Sequence, residues 1–158
     1  MNLQIDISIV AGEWPAREQL EKLVRKAFAA TAKRGRFAVP KPAELSLLFT
    51  NDAQIQQLNQ QWRGVDKPTN VLSFAGSGNG TGQAASAMLG DIVLAQETIT
   101  AEALLEGKKF EDHLTHLVVH GLLHLFGYDH VDKAGAQAME EIEQRSLAML
   151  GIADPYVS

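Results

Sequence analysis

The thirteen residues from Leu114 to Phe126, LTHLVVHGLLHLF, are apolar almost all round, and they constrain the chain more than any other stretch. A helix without a polar face has to be buried, so the remaining elements must cover it. Into that rod the sequence sets His120 and His124, four residues apart, which is about 6 Å of rise and puts both imidazoles on one face. At metal–nitrogen bonds of about 2.0–2.1 Å such a pair can close on one zinc-sized ion. Gly127 follows the last apolar residue, where a left-handed cap would end the helix and fold Tyr128, Asp129 and His130 back. His130 is then the expected third ligand.

The spacing H-x-x-x-H-x-x-G-x-x-H is that of the metzincin zinc proteases, but Gly121 stands where those enzymes have a glutamate. The metal cage is kept and the general base is absent. Three ligands with a fourth position left to water describe a catalytic ion, and zinc is the divalent metal expected. His113 and His116 share the face, yet His113 to His124 spans about 16 Å of helix, too far for one ion. These two are read as surface or packing residues, and Asp129 as a neighbour that orients a ligand.

At 158 residues, 46% apolar and 21% charged, the chain suits one domain spanning 1–158 with a sizeable core. No stretch approaches the ~20 apolar residues of a membrane span. The first dozen residues alternate like a strand instead of opening a signal peptide, and there is no cysteine for disulfides or thiolate ligation. A cytoplasmic protein without a membrane partner is expected. The net charge of −5 hides an imbalance: residues 1–80 hold ten Lys/Arg against seven Asp/Glu, and residues 81–158 hold four against twelve. Arg25, Lys26, Lys33, Arg34, Arg36 and Lys41 fall within seventeen positions, a solvated surface or a local polyanion-binding patch.

Taken in order, Leu3, Ile5, Ile7 and Ile9 alternate with polar residues as in a strand with one wet face. Pro15 suits the first turn of a helix carrying Leu20, Leu23, Val24, Ala27 and Phe28 at helical spacing. A basic loop is expected over Lys33–Pro40 and a second strand over Glu44–Thr50. Asn51 and Gln54 resemble a capping box for a short helix through Ile55, Leu58 and Trp62, ending at Arg63-Gly64. Arg63 there complements the helix dipole, and Asp66 and Asn70 suit turns. A strand Val71–Phe74, a glycine-rich mobile loop over 75–88, a strand Leu89–Ala95 and a helix Glu97–Glu106 follow. The histidine helix runs from about Phe110 to Phe126. A last helix, Asp132–Leu150, is expected to give Met139, Ile142 and Met149 to the core.

Two separate signatures, HGLLHLFGYDH and NQQWRGVDKPTNVLSF (Asn59 to Phe74), together with Leu89-Gly90-Asp91-Ile92-Val93, resemble the YbeY family of bacterial endoribonucleases over the whole length. The resemblance implies an α+β fold, a small mixed four-stranded sheet packed against about five helices. The metal site would lie on a buried helix and the turn after it. It also implies a metal-dependent nuclease specific for single-stranded RNA, acting on precursors of ribosomal RNA and in ribosome quality control, with the ribosome and its small-subunit components as partners. The family's metal histidines fall on His120, His124 and His130, and its functionally important arginine on Arg63. Many members read Pro-Thr-Asp where this chain has Pro68-Thr69-Asn70, so position 70 is not assigned as base or ligand. Two other functions fit parts of the pattern: a metalloprotease, opposed by Gly121, and a non-catalytic ribosome-assembly module with a structural ion.

Overall fold

The structure is a computed structural model that describes residues 3–76, 87–128 and 132–156. Nine elements follow in order: β1 (Leu3–Ile9), α1 (Arg17–Gly35), β2 (Ala43–Thr50), α2 (Asp52–Arg63), β3 (Val71–Ala75), β4 (Ala87–Ala95), α3 (Gln96–Glu106), α4 (Phe110–Leu125) and α5 (Lys133–Met149). The strands form one sheet in the order β1-β2-β4-β3, parallel across β1, β2 and β4 and antiparallel between β3 and β4. This is the expected α+β fold with a mixed four-stranded sheet and five helices.

Period-two alternation decides which residues face which helices. On β1, Leu3, Ile5 and Ile7 are buried while Gln4, Asp6 and Ser8 are exposed, as an edge strand with one wet face requires. β4 lies between two neighbours, and its end from Ile92 to Ala95 is buried on both faces. Ile92 and Leu94 join Leu45, Leu47 and Phe49 in the main core with α1, α4 and α5, while Val93 and Ala95 join Leu72 and Ile55 of α2 in a second cluster. α4 is thus covered by the sheet and by α1, α3 and α5, the burial that its composition demands.

Three boundaries differ from expectation. Trp14 donates from Nε1 to the Ala11 carbonyl and packs edge-on against Phe49, which holds the approach extended, so α1 begins at Arg17, beyond Pro15. The expected basic loop opens as helix: α1 runs through Lys33 and Arg34, cations that a helix C-terminus favours, and Arg36 caps it in a left-handed conformation. Met149, assigned to the core, is 42% exposed because α5 ends there, whereas Met139 and Ile142 are buried as expected. At α2, the Asn51 side chain accepts from the Gln54 amide at 3.0 Å, but the reciprocal half of the capping box is absent: the Gln54 side-chain oxygen takes the Thr50 hydroxyl instead. The starts of α2 and α3 are tied to each other, since Asp52 Oδ1 accepts from the Thr98 amide and hydroxyl while Glu97 Oε1 accepts from the Asp52 amide.

Candidate metal centre and cleft

α4 presents its less buried edge as a row of histidines at one-turn intervals, His116, His120 and His124. Its C-terminus closes in a Schellman motif: Tyr128 N–H donates to Leu123 O at 3.0 Å and Gly127 N–H to His124 O at 3.0 Å, with Gly127 at φ +99°. Phe37 stacks on Phe126 at 4.2 Å and meets Tyr128 edge-on at 5.7 Å, so aromatic packing fixes the direction in which the chain leaves the helix. The expected left-handed cap at Gly127 is therefore formed. Of the mobile loop expected over 75–88, Ala75 ends β3 and Ala87 and Met88 open β4, while 77–86, like Asp129 and His130, lie outside the described residues.

The Nε2 atoms of His120 and His124 are 3.1 Å apart. Two nitrogens of a tetrahedral ion at 2.0–2.1 Å would be about 3.3 Å apart, so the pair fits two positions of one such ion. Among the described residues no group of three or more His, Cys, Asp or Glu could hold a metal.

Behind His120 stands Glu143 of α5, 0% exposed. Its Oε1 lies 3.3 Å from His120 Nδ1, and its Oε2 lies 2.6 Å from His116 Nε2 and accepts the Tyr156 hydroxyl at 2.9 Å. Burial by itself raises this carboxyl, and the hydrogen bonds from His116 and His120 overcome it, holding it below the usual carboxylate range. The same burial and the Glu143 charge push the Tyr156 hydroxyl up, so it stays a donor. His113, 4% exposed, bonds Glu102 Oε1 at 2.8 Å, and the same carboxylate accepts from Asn70 Nδ2 at 3.0 and 3.3 Å. His113 and His116, read as surface or packing residues, each hold a carboxylate in place. An aspartate at position 70 would set two carboxylates against each other.

Arg63, at the end of α2, donates from Nη2 to Ser73 O at 3.1 Å and lies 5.8 Å above the Phe74 ring. It shares a cleft of about 560 Å³ with His120, His124, Asn70, Ser73 and Tyr128, so the two sequence signatures meet in one place. A larger hollow, about 840 Å³, lies between α1, α4 and the end of α5 and brings no catalytic constellation together. Gly121 sits where α4 crosses the sheet: a Cβ there would stand 3.0 Å from Ser73 Oγ and 3.2 Å from Ile92 Cδ1. The space that a protease glutamate would need belongs to β3 and β4.

Sequence reasoning missed Glu143, Glu102 and Tyr156. Only Glu143 carried a signal. It stands on the buried stripe of α5 with Met139 and Ser146, a lone carboxylate at core spacing. Glu102 and Tyr156 reach their partners through tertiary contacts that no local pattern encodes.

The family model described as Endoribonuclease YbeY matches residues 7–151. Proteins named Endoribonuclease YbeY from Sinorhizobium fredii and Agrobacterium fabrum are 48% identical over 160 residues and 49% over 159; each alignment covers 98% of this chain, and 92% and 95% of the relative. The solution structure of TM1509 from Thermotoga maritima aligns with a TM-score of 0.55 at 26% identity, covering 96% of this chain and 99% of that one. With the cleft, the histidine helix and Arg63 in the order the sequence signatures gave them, the chain belongs to the YbeY family of endoribonucleases.

Proposed function

We propose that this endoribonuclease cleaves single-stranded segments of precursor ribosomal RNA, in maturation of the small-subunit RNA 3′ end and in ribosome quality control, working in the cytoplasm against small-subunit components. The observation that carries this reading is the pair of Nε2 atoms at 3.1 Å in a cleft that also holds Arg63. His120, His124 and His130 would hold one divalent ion, zinc first among the candidates, His130 being assigned from spacing and resemblance. When bound, the ion would supply Lewis-acid charge beside the scissile phosphodiester.

The protein's own groups do the rest. Arg63 is anchored through one donor to Ser73 O and by the face of Phe74, which leaves other guanidinium N–H groups for phosphoryl oxygens. Charge grows on those oxygens as the phosphorus is attacked, so the fork binds the transition state better than the ground state. Tyr128 and Asn70 line the cleft beside it. Exposed Lys33, Arg34 and Arg36 end α1 next to Phe37, which touches Tyr128, and offer phosphates a path toward the cleft.

The test is cleavage of precursor ribosomal RNA with metal analysis of the purified protein. Arg63→Ala is expected to keep its metal and lose about 10²–10³-fold in kcat, and His124→Ala to lose metal and activity together. A folded, metal-free His124→Ala that cleaves at the original rate would sink the proposal.

A further inference from the structure

We propose that Glu143 is a positioning residue for metal binding: braced by His116 and Tyr156, its carboxylate accepts the Nδ1 proton of His120 and turns the lone pair of His120 Nε2 toward His124. This rests on the metal-site reading above and assigns a role to a residue of α5 that touches neither ion nor RNA.

The argument counts donors. His116 Nδ1 is buried with no partner among the described residues, so a proton there would be an unpaired buried N–H. The inexpensive form of His116 is neutral and carries its proton on Nε2, which donates to Glu143 Oε2 at 2.6 Å. The Tyr156 hydroxyl donates to the same oxygen at 2.9 Å. Oε1 is then left for His120 Nδ1 at 3.3 Å, and a carboxylate can only accept. His120 must therefore hold its proton on Nδ1, which leaves Nε2 as the bare nitrogen a metal needs. The contact also fixes the ring plane, and in other metal sites loss of such a partner costs about 10–100-fold in affinity. Glu143 can stay buried and ionised because three donors surround it, an arrangement with no evident use in merely packing α5 on α4.

Glutamine keeps the shape but offers one accepting oxygen to three donors, so its NH2 must face an N–H or O–H. Zinc affinity of the full-length protein, measured by competition with a chromophoric chelator, should fall about 10–100-fold in Glu143→Gln. Long-range 1H–15N correlation spectra of the chelated wild-type protein, with His120→Gln for assignment, should show His120 protonated on Nδ1. Equal zinc affinity in a folded Glu143→Gln overturns the inference. So does a His120 ring protonated on Nε2 in the wild type, a result that needs no variant to fold. Wild-type protein that takes up no zinc would instead remove the metal-site reading, while the tautomer would still decide the role of Glu143.

Discussion

Gly121 separates the three readings of this histidine pattern more sharply than the histidines do. Its backbone lies so close to β3 and β4 that an added methyl would press on Ser73 Oγ and on Ile92, which is fully buried in a central strand and has nowhere to move. Alanine gains about 1 kcal/mol of helix propensity and meets overpacking of about 1–3 kcal/mol. Gly121→Ala should therefore lower the thermal midpoint by a few degrees, as read by calorimetry, where an exposed helical glycine would raise it. The larger Gly121→Glu should fail to fold, so protease chemistry cannot be restored by supplying the missing side chain. At the residue scale the sequence singled out the i,i+4 histidines and Arg63, and the fold brings these three to one cleft. Glu143 and Glu102 were hidden because a carboxylate on a helix reads as solvated until the partners that neutralise it are in place.

At the scale of elements, helices and strands were legible wherever period and composition agreed, as on β1 and α4. The ends were not, because they are set by contacts distant in sequence: Trp14 on Phe49 delays α1, and Phe37 on Phe126 draws the far end of α1 toward the metal turn. The turn itself gives a paired prediction. Gly127 and Gly107 both have positive φ, +99° and +67°, and a Cβ at either would meet nothing within 4 Å. Alanine at each should cost about 1–2 kcal/mol of backbone strain, a fall in midpoint of roughly 2–8 °C. Gly107→Ala should keep full activity and zinc affinity. Gly127→Ala, which redirects the chain toward His130, should lose zinc affinity beyond its stability cost, as chelator competition would reveal.

For the whole molecule, the core and the site are separate sources of order. The main hydrophobic cluster joins the sheet to α1, α4 and α5 through apolar side chains alone. Chelation should therefore abolish cleavage while leaving the far-ultraviolet circular dichroism unchanged, with only the modest drop in midpoint that loss of a bound ligand implies. An assembly module stapled by its ion would unfold instead. Charge is also divided unevenly in a chain of net −5, and the basic end of α1 should bind backbone without taking part in chemistry. Replacing Lys33, Arg34 and Arg36 together by alanine should raise KM with little change in kcat. It should also flatten the salt dependence of binding to single-stranded RNA by about two units of slope.

The tie between the starts of α2 and α3, with the Asn70 to Glu102 link beyond it, sets α3 behind the arginine side of the cleft, and Glu102 joins that side to His113 of α4. The imidazole side has a further brace of its own, Glu143 of α5. Damage at Asp52 or Thr98 should thus disturb turnover more than ion uptake, whereas damage along α5 should weaken ion uptake and lower turnover with it. Grip on RNA could then be tuned from α3 with less effect on the imidazole pair proposed to hold the ion.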